Sequence, residues 1–372
     1  MGKMLRIIKK DTVLVISWVL AVVSAFFVTP DKTYAEYIDW RSLGILWSLM
    51  LITQGYMKNG VFEKIGHSLL LRTRKVWQLV LALITMCFFG GMVITNDVAL
   101  ITFVPFAIIM LKNCEREDIM IPVVVLQTIA ANLGSMMTPI GNPQNLYLYE
   151  LSGMSIGQFI LWMLPFTMIA AALLLVSLLF IRDKGAVISV PADKKVRKDT
   201  RKRINIIIFT LLFVVALLVV SRLILWYVLV CMTVVIVFVT DRRILLKADY
   251  GLLLTFVGFF IFTGNIGRIA VVSNFLANVV NGREVIVGIL ASQCISNVPA
   301  ALLLSGYTDS IRMLLLGVNI GGLGTLIASM ASLISYKLYV NEVPGNKGKY
   351  FVTFTFYNLV YLIIMFGCTL LL

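Results

Sequence analysis

The sequence is poor in charge and in the residues that catalysis and metal binding usually need. Only 13% of its 372 residues are Asp, Glu, Lys or Arg, and its single histidine, His67, lies in a basic segment. A soluble domain carries about 25% charged residues, so the composition excludes an ordinary soluble fold. The sequence also lacks the residues for a histidine-based metal site or catalytic triad.

The five cysteines do not have the spacing of a disulfide framework or of a metal site. They are scattered, mostly within apolar runs, at Cys87, Cys114, Cys231, Cys294 and Cys368. This placement is typical of small buried hydrophobic side chains. We therefore expect no cofactor, and the one metal ion considered below is Na⁺ as a coupling ion.

What the sequence has in abundance is apolar surface. Its residues are 60% hydrophobic, and the mean hydropathy is +0.97. Apolar runs of about 20 residues, the length that spans a bilayer as a helix, recur along the whole chain. A β-barrel would show short alternating strands instead. The sequence therefore predicts an all-α polytopic membrane protein, with the lipid bilayer as its partner.

The net charge of +14 does not indicate nucleic-acid binding, because the basic residues cluster between apolar runs. That is where the positive-inside rule places them. It puts the N-terminus and the basic cluster 182–203 in the cytoplasm. The basic start followed by a long apolar run predicts a retained first helix over 11–29 rather than a cleaved signal peptide.

The charge pattern divides the chain into four parts. They are an N-terminal transmembrane helix (1–39), a first repeat (40–181), a basic cytoplasmic linker with two connecting helices (182–249), and a second repeat (250–372). Within the two repeats, amphipathic helices lying in the membrane interface are predicted over 60–75 and 267–282.

Each repeat contains a short polar break followed by a longer polar stretch. The short breaks are Thr95-Asn96-Asp97 and Ser296-Asn297-Val298, and the longer stretches are "NLGSMMTPIGNPQN" and "NIGGLGTLIASMAS". The long stretches align without a gap, and the first repeat starts outside whereas the second starts inside. Two inverted repeats are therefore predicted. The alignment pairs Asn132 with Asn319, Gly134 with Gly321, Thr138 with Thr325, Asn142 with Ser329, and Asn145 with Ser332.

This topology closes if each repeat has a re-entrant hairpin and a broken transmembrane helix. The hairpins are 77–112 and 284–306, and the broken crossings are 119–150 and 312–338. The result is nine crossings and two hairpins, with the C-terminus outside. Non-helical backbone at membrane depth survives only inside protein or along a cavity. There the freed carbonyls can hold a cation and the freed N–H groups an anion.

The strings "TND", "TPIGNPQN" and "SNVP" resemble the ion transporter superfamily, which includes divalent-anion/sodium symporters, citrate-transporter-like proteins and arsenite permeases. The resemblance covers residues 40–372. The sequence is also similar to a small subgroup of uncharacterised bacterial inner-membrane proteins. It implies a secondary active transporter of a small anion or oxyanion, an organic carboxylate or an inorganic one, coupled to H⁺ or Na⁺. It also implies an elevator mechanism and a homodimer in the cytoplasmic (inner) membrane.

Other functions stay open at this point. One alternative is an arsenite/antimonite efflux permease or a Na⁺/H⁺ antiporter. A channel or an intramembrane enzyme is more remote, since an enzyme would need a base partner near the breaks. No catalytic residue is therefore assigned.

The resemblance also implies the site residues. Substrate-binding residues are Thr95, Asn96, Asp97, Asn142, Ser296, Asn297 and Ser329. Cation-binding residues, for Na⁺ or H⁺, are Gly91, Asn96, Asp97, Gly141, Ser292, Asn297 and Ala328. Supporting residues of the broken helices are Asn132, Thr138, Asn145, Asn319, Thr325 and Ser332.

Two residues depart from the Ser-Asn-Thr tips of the sodium–dicarboxylate branch: Asp97 and Val298. Acids at membrane depth are usually functional, so Asp97 is predicted to hold a proton or a cation; the alternative is a helix cap. Glu150 and Lys337 occupy equivalent positions near helix ends and are predicted to be snorkelling anchors.

Overall fold

The computed structural model describes residues 12–70, 73–188 and 200–371. Seventeen α-helices account for most of these residues, joined by turns and short 3₁₀ segments. The prediction of an all-α protein is confirmed. The first residue of the predicted helix 11–29 and residues 189–199, half of the basic cluster 182–203, lie outside the described residues.

The helices are labelled in chain order. They are α1 (Thr12–Ala25), α2 (Trp40–Lys58), α3 (Val61–Leu70), α4 (Val76–Ile94), α5 (Asn96–Asn113), α6 (Met120–Ser135), α7 (Pro143–Ser152), α8 (Ile156–Ser177), α9 (Thr200–Val220), α10 (Trp226–Asp241), α11 (Tyr250–Gly267), α12 (Ala270–Val280), α13 (Glu284–Ile295), α14 (Asn297–Leu304), α15 (Ile311–Ile320), α16 (Met330–Glu342) and α17 (Lys347–Thr369).

Local sequence signals account for the ends of several helices. α2 begins at Trp40 because Asp39 caps it: the Ser42 backbone amide donates to Asp39 Oδ1 at 3.0 Å. The first helix is shorter than predicted, ending at Ala25 rather than at residue 29. Pro30 follows closely, and the residue before a proline disfavours the helical conformation, so the helix cannot run on to Pro30.

Among the described residues, seven helices are long and apolar enough to cross a membrane: α4, α5, α8, α9, α11, α17, and α6 together with the short 3₁₀ turn before it. The number rises to eight if α12 and α13, bent by 112° at their junction, count as one span. The chain is therefore a multi-pass membrane protein. The nine crossings, the two re-entrant hairpins, the inverted orientation and the sides of the termini stay predictions.

The helices pack as two bodies. The scaffold body consists of α1, α2, α9, α10 and α11, which pack mainly on one another. The core body consists of α4–α8 and α13–α17, packed around the deeply buried α6. The two amphipathic helices connect them: α3 lies between α2 and α4, and α12 lies between α11 and α13. Both helix breaks therefore lie in the core body.

Candidate functional site: two helix breaks joined by buried amides

The two short polar breaks have the same backbone conformation. Thr95 has φ 75° and ψ 150°, and Ser296 has φ 73° and ψ 153°. A positive φ is uncommon for residues other than glycine. Each of these residues joins two helices that turn at this point, α4 to α5 and α13 to α14. The sequence predicted both break positions.

Each short break, called a tip below, makes a matching contact to the longer break of its own half. The backbone amide of Asn96 donates to the Gly141 carbonyl at 3.1 Å, and the backbone amide of Asn297 donates to the Ala328 carbonyl at 2.9 Å. Gly141 and Ala328 are equivalent positions in the gapless alignment. The two halves therefore dock their tips in the same way.

A second pair of equivalent contacts fixes the same junctions. The Thr138 hydroxyl donates to the carbonyl of Met92 at 2.6 Å, and the Thr325 hydroxyl donates to the carbonyl of Gln293 at 3.4 Å. Met92 and Gln293 each lie three residues before their tip. The alignment made from sequence thus reproduces contacts that sequence spacing alone does not reveal.

The longer breaks meet through buried asparagines. Asn132 Oδ1 accepts from the Ser329 hydroxyl at 3.1 Å, and Asn132 Nδ2 donates to Ser332 Oγ at 3.5 Å. In the other direction, Asn319 Oδ1 accepts from Asn142 Nδ2 at 3.1 Å. Asn319 Nδ2 donates to Asn145 Oδ1 at 2.6 Å. The first asparagine of each break therefore bonds two residues of the other break. The two pairs of partners, Ser329 with Ser332 and Asn142 with Asn145, are equivalent in the alignment.

The first tip is hydrogen-bonded to this network, and the second tip lies next to the backbone of Gly322. Asn96 Nδ2 donates to Asn132 Oδ1 at 3.1 Å. Asn132 Nδ2 also contacts the Gly322 carbonyl at 3.5 Å, and Gly322 packs against the Asn297 amide. Asn96 and Asn297 are both almost fully buried. Asn96 is therefore hydrogen-bonded to Asn132, whereas Asn297 lies next to Gly322.

The freed carbonyls of each break are satisfied by a side-chain amide. Asn145 Nδ2 donates to the carbonyls of Ser135, Met136 and Thr138 at 3.2, 3.4 and 3.0 Å. In the second break Gln293 takes this role, with Nε2 donating to the carbonyls of Gly321 and Leu323, both at 2.9 Å. Sequence reasoning missed Gln293. Its signal was an amide within an apolar hairpin arm, three residues before the tip.

Glycines allow the backbones to approach at these junctions. A Cβ atom on Gly141 would lie 2.0 Å from the Ser135 carbonyl oxygen, so a side chain here has no room. Gly91 packs on the Ala131 carbonyl, and the Ser292 hydroxyl donates to the Gly288 carbonyl at 2.7 Å. The cation-binding role of these positions stays a prediction.

Asp97 is the second residue of α5 and is half-buried. Its amide donates to Asn96 Oδ1 at 2.9 Å, so Asn96 supplies the acceptor at this helix start. Within the described residues, the Asp97 carboxylate has neither a hydrogen bond nor an ion pair. The role of Asp97 as a proton or cation site stays a prediction.

The snorkelling prediction for Glu150 is wrong. Its side chain is only 9% exposed and lies between two guanidinium groups, with Oε2 3.1 Å from Arg41 Nε and 3.8 Å from Arg222 Nε. Sequence reasoning missed both arginines because they are distant in sequence: Arg41 lies in α2 and Arg222 in the turn after α9. Two nearby positive charges stabilise the carboxylate away from water, so it has no need to reach the interface. Lys337 is exposed on α16.

A multi-pass helical bundle with paired helix breaks meeting at a buried polar centre has the architecture of a membrane transporter. Comparison with known proteins gives the particular family. Residues 3–312 match the citrate transporter family (CitMHS), and the chain belongs to it. The resemblance to the ion transporter superfamily is thereby confirmed, and the chain is a transporter rather than an enzyme.

Relatives match over most of the chain. The uncharacterized transporter MJ0456 of Methanocaldococcus jannaschii is 32% identical over 304 residues, which cover 81% of each chain. The inner membrane protein YbiR of Escherichia coli is 30% identical over 324 residues, 84% of each chain. The silicon efflux transporter LSI3 of rice, Oryza sativa subsp. japonica, is 32% identical over 139 residues, 37% of this chain and 28% of that one.

Proposed function

We propose that this protein is a secondary active transporter whose substrate site lies where the two longer breaks meet. The observation that carries the proposal is the reciprocal bonding of Asn132 and Asn319. Paired breaks at matched positions are the arrangement in which secondary transporters bind substrate and coupling ion. The substrate is a small anion or oxyacid, H⁺ or Na⁺ is the coupling ion, and the core body moves against the scaffold body in an elevator cycle. The unit is a homodimer in the cytoplasmic membrane.

The chemistry of the site favours an oxyacid that carries little charge. The hydrogen-bonding side chains around the two breaks are neutral amides and hydroxyls, with the unpaired Asp97 nearby. A dianion next to this carboxylate would be repelled by about 4 kcal/mol for each pair of charges 4 Å apart at an effective dielectric near 20. A protonated or singly charged oxyacid avoids this repulsion and can bond the amides. The rice relative is named for silicon efflux, which supports an oxyacid substrate over the citrate of the family name.

Reconstitution tests this function. Purified protein in liposomes is expected to accumulate arsenite or silicate, but not citrate or succinate, when a pH or Na⁺ gradient is imposed. Empty liposomes are the control. Gradient-driven citrate uptake without oxyacid uptake would reverse the substrate proposal. Passive conduction through single molecules in planar bilayers would show that the protein is a channel and not a carrier.

Asp97→Asn is expected to abolish accumulation driven by a pH gradient, because the amide keeps the shape of the carboxylate and loses its titration. Exchange of substrate across the membrane without a gradient should persist, since Asp97 makes no side-chain bond to the amide network. Rates of both processes in liposomes are the measurement. If Asp97 were only a cap, asparagine would cap equally well, and gradient-driven accumulation in Asp97→Asn would be unchanged.

Single cysteines at positions 190 and 308 are expected to be labelled from opposite faces of the membrane. Position 190 lies in the basic linker, which the positive-inside rule places in the cytoplasm. Thr308 follows the second hairpin, which the inverted topology opens to the outside. An impermeant maleimide, applied to intact cells and to inverted vesicles, measures the sides. Labelling of both positions from one face would rule out the inverted repeat.

A further inference from the structure

Several polar contacts between the scaffold body and the core body surround Glu150. Glu150, at the end of α7 in the core body, pairs with Arg41 of α2 and with Arg222, which lies between α9 and α10. Next to it the Tyr149 hydroxyl donates to the Val220 carbonyl at 3.0 Å. One buried carboxylate thus ties the core body to two separate elements of the scaffold body.

Arg222 is held in an unusual conformation by these contacts. Its φ of 63° is uncommon for a residue other than glycine. Its guanidinium carbon lies 5.3 Å from the centre of the Tyr149 ring, and Nη2 donates to the carbonyls of Tyr149 and Glu150 at 3.4 and 3.3 Å. Such backbone conformations persist where the surroundings impose them, and they cluster at functional sites and switches.

The pairing is incompletely hydrogen-bonded, because the buried Glu150 Oε1 and Arg41 Nε have no hydrogen-bond partner among the described residues. A buried carboxylate that loses a partner is strongly destabilised unless water reaches it. A cavity of 360 Å³ adjoins the cluster and is lined partly by Tyr149, Ser155, Ser221 and Arg222. Water in this cavity can hydrate Arg222 once the two bodies separate. The contact can therefore be broken.

We propose that Glu150, Arg41 and Arg222 form a latch that stabilises the present arrangement of the two bodies and must open for the core body to move. This proposal rests on the elevator cycle proposed above and identifies the residues that control it. Since the three residues lie outside the amide network, the latch sets which state is populated rather than what is bound.

The chain offers matched controls, because two other ion pairs lie within single bodies. Lys112 of α5 pairs with Glu342 of α16 at 3.4 Å inside the core body. Lys58 pairs with Asp241 inside the scaffold body. Neither pair crosses between the bodies, so removing either one should leave their relative position unchanged.

A cysteine reporter at Ser329, in a background without native cysteines, measures the arrangement without any knowledge of the substrate. Impermeant maleimide is applied from each face in turn, and the ratio of the two labelling rates is recorded. We expect Glu150→Gln to change this ratio at least threefold, and Glu342→Gln to leave it unchanged. The double variant Arg41→Gln/Glu150→Gln, which leaves fewer buried charges unpaired, should shift the ratio in the same direction if Glu150→Gln does not fold.

The outcomes separate the two proposals. A reporter that reacts from one face only, in every variant, overturns alternating access and with it the proposed function. A reporter that reacts from both faces, with the same ratio in the native sequence, Glu150→Gln and the double variant, leaves the transporter intact and overturns the latch. An equal shift in Glu342→Gln also overturns it, because the effect would then follow from any lost charge.

Discussion

Gly134→Ala is expected to destabilise the core body strongly. A Cβ atom at this position would lie 2.2 Å from the backbone oxygen of Phe88, and backbone cannot rotate away as a side chain can. Overpacking typically costs about 1–3 kcal/mol, occasionally more, and this clash would push α4 from α6 at the centre of the core body. The yield of monodisperse protein in detergent and its melting temperature are the measurements.

Gly367→Ala is the matched control. This glycine lies in α17 with open space around it, and alanine is the better helix former. Its melting temperature should equal that of the native sequence or exceed it slightly. A Gly134→Ala protein with native yield and melting temperature would contradict the tight crossing of α4 and α6.

Asn132→Ala is expected to lower transport by at least tenfold while the protein still folds. The substitution removes the acceptor for Asn96 and Ser329 and the donor to Ser332, all buried. An unpaired buried group costs about 1–3 kcal/mol, and about 1.4 kcal/mol corresponds to a factor of ten in an equilibrium constant. Initial uptake rates in liposomes, normalised to inserted protein, are the measurement.

Asn205→Ala controls for loss of an amide elsewhere, because Asn205 bonds Asn59 within the scaffold body. Its transport should be unchanged. Asn319→Ala should resemble Asn132→Ala, since the two asparagines make equivalent contacts. Asn96→Ala and Asn297→Ala should also reduce transport sharply. If Asn132→Ala and Asn319→Ala both transported with native kinetics, the substrate site could not lie where the two breaks meet.

The sequence predicted the helix breaks because their residues are conspicuous in a bilayer. Thr95 and Ser296 interrupt long apolar runs, and polar groups at membrane depth need protein partners. The gapless pairing of Asn132 with Asn319 also came from sequence alone. These features are local or periodic, and each position could be recognised without knowing what lay across from it.

The partners of these residues could not be predicted in the same way. Glu150 was expected to snorkel because a charge near a helix end usually reaches water. Arg41 and Arg222 are 109 and 72 positions away, and only the packing of α2 and the turn after α9 on α7 brings them together. Gln293 was missed for the same reason. Contacts between distant elements depend on the fold, whereas breaks depend on composition.

The reciprocal bonding of Asn132 and Asn319 has the form of an isologous interface, in which residue i of one copy contacts residue j of the other and the reverse holds as well. Here both copies belong to one polypeptide. Each half therefore acts for the other as a second subunit would, supplying hydrogen bonds that the half cannot make alone. A gene cut within the linker should yield two polypeptides that are insoluble apart and assemble when they are made together.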